Sequence, residues 1–266
     1  MLERSHRKNV IRPCLQDRVL LRVNEILMFV FAVIIAYPLL FVVFSSFEGQ
    51  VSTLTLNIFP KKWSIEGYKA VFEYRWIWVG YRNSLLYTLL GTLIGLAFCV
   101  LAAYPLSQPN LDGRGFFMGL FVFTMYFSGG LIPLYLQVKN LGLYNSPLAM
   151  IIPSAISIYN VLILRSFFMY GVPKSLEEAA LLDGANTAQM LWRVILPLVK
   201  PTLAVLVLYY AIGHWNDYFS ALIFLKDKEL MPLQTILRDV LITGKIDMAS
   251  SGMEMEAVIQ KLKTAQ

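Results

Sequence analysis

Residues Glu177 to Pro197 read EEAALLDGANTAQMLWRVILP. The pattern predicts two short amphipathic helices on a glycine joint. Ser175 suits an N-cap for the first, and Glu178 three residues on completes a capping box. Leu176, Ala179, Ala180 and Asp183 then share one face. Asp183-Gly184 ends that helix, because Gly adopts the left-handed conformation without a Cβ penalty. Asn186 and Gln189 form a second capping pair. Ala188, Leu191, Trp192 and Ile195 share a face of the second helix, and Pro197 and Pro201 stop it. Helices this short are marginal alone, so the pair must rest on something. Ala179, Ala180, Gly184 and Ala185 are small enough to let another backbone approach closely. The stretch is either a docking knob for a partner or an amphipathic pair lying on lipid.

The chain around it is of another kind. Hydrophobic residues make up 57% and charged residues 15% of 266, where a soluble domain carries about a quarter charged. Charge-free windows run from Ile26 to Phe47, Asn83 to Leu111, Gly115 to Val138, Asn140 to Leu164 and Pro201 to Asn216. Crossing the hydrocarbon core takes roughly 20 apolar residues. Four windows reach that length, and the fifth does so by continuing past Asp217 to Leu225. A soluble all-helical protein would not gather its apolar residues into such runs. The expected fold is an all-α polytopic membrane protein with five transmembrane helices, since lipid tolerates only helices or closed barrels.

The net charge of +6 flanks the helices rather than forming a patch, which argues for membrane-surface contact and against nucleic acid. Arg4, Arg7, Lys8, Arg12, Arg18 and Arg22 precede the first helix, so the expected basic N-terminus, residues 1–24, is cytoplasmic. The first apolar run exceeds a signal-peptide core and no clear cleavage site follows, so it reads as a retained anchor. Residues 25–225 then form the membrane domain, with an external loop at 48–82 and a cytoplasmic loop at 170–200. The external loop carries Trp63, Tyr68, Tyr74, Trp76, Trp78 and Tyr81, interface-seeking aromatics, and part of it should lie on the membrane as a short helix. SGGLIP (Ser128 to Pro133) should break or kink the third helix. The remaining spans are expected at about Asn83–Tyr104, Ala149–Phe168 and Pro201–Leu225. Residues 226–266 fall outside, with amphipathic pieces at Leu233, Ile236, Leu237 and Val240, then Met255, Val258, Ile259 and Leu262.

Glu178-Ala179-Ala180, Gly184, Val194, Leu196 and Pro197 stand at the spacing EAA, three residues, G, nine residues, hydrophobic, any, LP. This resembles the signature of permease subunits of bacterial ABC importers, with Val194 where the family most often has Ile. FSGGLIPLYLQVKNLGLYNS (Phe127 to Ser146) and GHWNDYFSALIFL (Gly213 to Leu225) further resemble the carbohydrate-uptake branch of the LplC/YtcP type. The resemblance runs from about Arg18 to Gln266. It implies a MetI-like permease helical bundle in the bacterial inner (plasma) membrane. It implies that Ser175 to Val194 is the ATPase-coupling loop, with Glu178, Ala179, Ala180, Asp183, Gly184, Ala185, Leu196 and Pro197 as its residues. Implied partners are a second, different permease subunit, two ATPase subunits and an extracellular solute-binding protein, besides membrane lipid. No cofactor is implied for this chain, with ATP and Mg held by the ATPase subunits. The family usually has six helices and a cytoplasmic C-terminus. This chain stops at KLKTAQ, about where the last helix would begin, and truncation is the expectation.

Tyr159, Asn160, Tyr210, His214, Trp215 and Asn216 put polar groups in the last two apolar windows. In membranes such groups usually face a bundle interior or a cavity. They are the candidate substrate path for a carbohydrate, by aromatic faces and planar amides, and interhelical hydrogen bonding or contact with a binding protein would equally use them. Arg165 reads as an inner-interface snorkeler and Gly91-x-x-x-Gly95 as a close helix crossing. Cys14 and Cys99 are too far apart in sequence for a framework, and two histidines exclude a His-rich metal site. No phosphate loop and no nucleophile with its base is present, so the chain is not expected to be an enzyme. A cation-driven secondary transporter is a competing reading, but it would need mid-membrane carboxylates, and Asp217 is the nearest. A non-transporting scaffold or receptor docking a cytosolic partner through the knob is another.

Overall fold

The computed structural model describes residues 15–47 and 63–242. Expectations for Cys14, for residues 48–62 and for the piece from Met255 to Leu262 fall outside them. The chain divides into two compact units, Met1–Glu73 and Tyr74–Gln266.

In the first unit, α1 (Leu15–Ser45) is a 31-residue helix of about 45 Å. It begins ahead of the apolar run, so Asp17, Arg18 and Arg22 lie in the helix and not in a separate basic segment. Arg22 pairs with Glu25 at 3.0 Å, one turn along, which suits a solvated helix end. None of residues 16–45 is buried. A helix apolar all round has no polar face to give to water and belongs in lipid. The short amphipathic helix expected in the loop is α2 (Glu66–Glu73). Its Tyr68 hydroxyl meets Ser46 Oγ at 2.7 Å, and the Phe47 ring lies 5.3 Å from that of Tyr68.

The second unit is organised on α3 (Arg75–Ser107), 33 residues long. It starts ahead of the expected Asn83, so Arg75 to Arg82 are helix and not loop. The cause lies in the far C-terminal part of the chain. Arg75 pairs with Glu229 at 2.9 Å, and the Lys228 ammonium sits 4.7 Å over the Trp76 ring. Asn83 Nδ2 donates to the carbonyls of Glu229 and Met231 at 2.7 and 3.1 Å. Tyr87 donates to the Leu230 carbonyl at 2.8 Å, and Ser84 Oγ accepts from the Leu233 amide at 2.9 Å. Residues 228–236 are therefore laid along α3. Of the apolar stripe expected there, Leu233 and Ile236 are buried while Leu237 and Val240 stay exposed.

Beyond α3 the continuous helices are shorter than the expected spans. α4 (Arg114–Tyr126) and α5 (Leu131–Asn140) meet at 113°. The break falls at the expected SGGLIP, where Gly130 has φ 90. The expected Ala149–Phe168 span is α6 (Leu148–Ile151), a break through Pro153, and α7 (Ile158–Tyr170). Pro153 cannot donate to the ladder, and Ser157 opens α7 by accepting the Asn160 amide. α8 (Lys174–Leu182) follows. Next come α9 (Thr187–Gln189), a π-turn (Met190–Ile195) and α10 (Leu196–Leu198), bent by 84° from α11 (Lys200–Trp215). The expected Pro201–Leu225 span also breaks, at Asn216 to Tyr218, before α12 (Phe219–Phe224). Among the described residues two helices are long and apolar enough to cross a membrane, or up to four if each bent pair is one span.

α3, α7 and α11 pack on one another around Cys99, Ala103, Val161, Leu164, Ile195 and Leu206. In lipid, apolar burial supplies little drive between helices, so close fit has to supply it. Gly91 and Gly95 provide that fit, with the His214 and Tyr210 rings and, at Gly95, the Ala155 carbonyl filling the space. A Cβ on Gly91 would collide with the His214 ring, and one on Gly95 would lie 2.8 Å from Tyr210 Cε1. At the opposite end from the α8–α10 loop, Asn145 (φ 57) ties two turns together. Its Oδ1 accepts the amides of Lys226 and Asp227 at 2.9 and 3.0 Å, and its Nδ2 donates to Asp227 at 2.8 Å.

Candidate functional site

Local chemistry builds the loop from α8 to α10 into an elbow. Ser175 is not the N-cap: α8 starts at Lys174 behind Pro173, with no side-chain cap. Proline at that position fixes φ and starts the helix two residues early. The far end is as expected. Gly184 has φ 77. The Ala185 amide donates to the Ala180 carbonyl at 2.9 Å and the Gly184 amide to Leu181 at 3.0 Å. These two bonds make a Schellman motif, which satisfies the last carbonyls of the helix. Asn186 and Gln189 then exchange side-chain bonds to each other's amides at 2.8 and 3.0 Å. The turn from Ala180 to Gln189 thus leaves few backbone groups over.

The elbow rests on the core through Met190, Leu191 and Ile195, all buried, with Ala180, Val194 and Leu196 half-buried against them. The face expected for the second helix divides: Leu191 and Ile195 turn inward, while Ala188 and Trp192 stay exposed. Glu178, Ala179, Asp183, Gly184 and Pro197 are exposed and Ala185 is half-buried. Leu182 is 89% exposed and Leu181 63%. These leucines carry the elbow's apolar tip, and the motif spacing pointed to the alanines instead. Glu177, not Glu178, faces back toward the protein. It lines a hollow of about 520 Å³ with Tyr104, Gln108, Asn186 and Met190. Burial raises the Glu177 carboxyl above its ordinary value, and Lys174 partly offsets this.

A second feature is an open cleft of about 710 Å³ between α7 and α11. Tyr159, Asn160, Tyr210 and His214 meet there, joined by Ser154, Ser157, Tyr209 and Asp217. The Ser157 amide donates to the Tyr210 hydroxyl at 3.2 Å, and Asn160 and Cys99 are within its hydrogen-bonding reach. Asp217 Oδ1 accepts the Ser220 amide at 3.0 Å. Trp215 and Asn216 do not line the cleft. Trp215 packs toward Tyr81, ring to ring at 6.4 Å, and Asn216 Nδ2 turns back to the Ile212 carbonyl at 2.9 Å. Arg165 does not simply snorkel: its Nε donates to the Leu106 carbonyl at 2.9 Å, tying α7 to the end of α3. Among the described residues no cluster of His, Cys, Asp and Glu could hold a metal.

An uncovered apolar exterior, a packed three-helix centre, a polar cleft and a capped elbow together define a membrane transport component. Residues 12–258 match the family described as binding-protein-dependent transport system inner membrane component, and the chain belongs to that family. Protein LplC of Bacillus subtilis is 38% identical, over 84% of this chain and 75% of that one. The polygalacturonan/rhamnogalacturonan transport system permease protein YtcP of the same organism is also 38% identical, over 84% and 77%. A chain in the crystal structure of a bacterial ABC transporter that imports the acidic polysaccharide alginate superposes with a TM-score of 0.80. That match has 34% identity and covers 86% of this chain and 82% of that one. The chain is thus an inner-membrane permease component and not itself an enzyme. The family requires ATPase and solute-binding partners.

Proposed function

We propose that this chain forms one half of the membrane path of an ABC importer for a carbohydrate. Its α8–α10 elbow is the seat of a cytosolic ATPase subunit. In this reading the N-terminus and the elbow are cytoplasmic, and Asn145 and residues 226–232 lie outside, toward the binding protein. A second, different permease completes the path, and two ATPase subunits hold ATP and Mg. The relatives named for polygalacturonan and alginate supply the cargo class.

One observation carries the coupling role. A Schellman motif and a capping box back to back hold Leu181 and Leu182 in solvent, while Met190, Leu191 and Ile195 root them in the core. Such an exposed apolar tip on a stiff stem marks a contact surface. Reversing a population from 1:99 takes about 5.5 kcal/mol, and a rooted elbow can pass that on where a loose loop cannot. The cleft suits a sugar, with tyrosine rings for its apolar faces and Asn160, His214 and Asp217 for its hydroxyls. Co-purification tests the seat: the ATPase subunit should follow the native chain and be lost with Glu178→Arg or Gly184→Pro. Recovery untouched by both changes would overturn it.

A further inference from the structure

The cleft between α7 and α11 holds one fixed charge, and it is negative. Asp217 is its carboxylate, and among the described residues no Lys or Arg lines it. The walls keep their cations at a distance. α7 has only Arg165, about 8 Å along the axis from Asn160 and already bonded to the Leu106 carbonyl. α11 has only Lys200, about 15 Å along from Tyr210. α3 has no charged residue from Asn83 to Ser107. His214 does not fill the gap. It is bonded to the Gly91 backbone and stands in the field of Asp217, so a proton gained there would find its counterion in place.

The start of α7 could draw an anion, but its donors are engaged. Ser157 Oγ accepts the Asn160 amide at 3.4 Å, and the Ser157 amide donates to Tyr210. What stays free suits a hydroxyl. Asp217 Oδ1 accepts the Ser220 amide. Among the described residues its Oδ2 has no hydrogen bond, and Asp217 forms no ion pair. A carboxylate oxygen only accepts. Sugar hydroxyls can donate to it, whereas a uronate has no proton to give and meets a like charge. Tyr159 and Tyr209, 58% and 47% exposed, offer rings to the apolar faces of a sugar. The superposed alginate importer takes an acidic polysaccharide. An anion taken out of water needs a paired cation, and this cleft offers none.

We propose, resting on the carbohydrate reading above, that the sugar gripped by this half of the path is uncharged and that Asp217 selects it. The free oxygen takes the hydroxyls of a neutral unit and repels the carboxylate of a uronate. Attraction of one cargo and repulsion of the other then act through a single side chain.

Uptake by the complete transporter and its binding protein in proteoliposomes gives the test. The probes are di- to tetrasaccharides of glucose, galactose and mannose, each beside its uronate counterpart, at concentrations that saturate the binding protein. Among these, the neutral probe that enters should do so about tenfold or more faster than its uronate, the scale of one charge-assisted bond gained or lost. Asp217→Asn keeps an oxygen for the Ser220 amide and should bring the two rates together. Asp217→Glu keeps the charge and should stay nearer the native ratio. Should Asp217→Asn not assemble, Ile212→Lys places a cation in the same cleft and should admit the uronate. Uronates entering the native transporter as fast as neutral probes overturn the proposal and leave the carbohydrate reading standing. A ratio that Asp217→Asn and Ile212→Lys both leave unmoved does the same. If the binding protein stimulates ATP hydrolysis but no saccharide of either kind enters, the carbohydrate reading itself falls and takes the selection with it.

Discussion

The elbow and the cleft are built by opposite means. The elbow is made of neighbours: every bond that shapes it, from Ala180 to Gln189, joins residues five or fewer apart. The cleft is made of strangers. His214 and Tyr210 take their places because Gly91 and Gly95, far away on α3, leave room for them. A locally built feature keeps its shape while the body around it moves, as a coupling part must. A feature assembled across helices changes shape when the helices shift, as a path must.

The comparison predicts where substitutions do most damage. Gly91→Val should be the most severe, because its side chain meets the His214 ring and overpacking costs about 1–3 kcal/mol or more. The detergent-solubilised complex should lose thermal stability and uptake together, and His214→Ala should restore part of the stability. Survival of full uptake in Gly91→Val would show that the α3–α11 contact does not shape the path. Gly184→Ala comes next, at roughly 1–2 kcal/mol for a left-handed residue with a Cβ. It should act on the elbow alone, lowering binding-protein-stimulated ATPase activity more than the thermal midpoint. A midpoint that fell as far as for Gly91→Val would show that the elbow is not a separate local unit. Asn186→Ala removes the capping box and should cost about 1 kcal/mol, seen as faster amide exchange confined to residues 184–190. Exchange that quickened across the whole chain would contradict a local fold.

The smallest effect concerns charge. Because burial raises the Glu177 carboxyl, the folded elbow holds that proton more tightly than the unfolded chain does. The ionised form therefore penalises the fold above that raised value, and the penalty fades as pH falls through it. Glu177→Gln should slightly raise the midpoint at neutral pH, within about 0.5 kcal/mol for a half-buried site open to solvent on one side, and change nothing in acid. A gain that grew on acidification would reverse the sign of this account.

The same contrast explains what the sequence disclosed. The Gly184 turn and the Asn186–Gln189 box were readable because both are written within a few residues. Ser175 misled because Pro173 starts α8 earlier, and a Ser-x-x-Glu spacing does not register what precedes it. The polar residues of the cleft were readable as a set, since lipid penalises each of them. Which of them converge was not. Tyr159, Asn160, Tyr210 and His214 meet, whereas Trp215 and Asn216 leave at the end of α11, where the helix stops short. Charge-free windows reported apolarity and not continuity, so the breaks at Pro153 and at Asn216 were invisible to them. The early start of α3 rests on Glu229, Lys228 and Met231, about 150 residues away, beyond the reach of any local pattern.

Leu182 tests the central claim most directly, because it stands furthest out on the elbow. Leu182→Cys in the assembled transporter should cross-link through a short bis-maleimide to a cysteine in the ATPase subunit, and ATP should change the yield. The account is contradicted if Leu182→Cys in intact cells is instead labelled by a membrane-impermeant maleimide added from outside and never joins the ATPase.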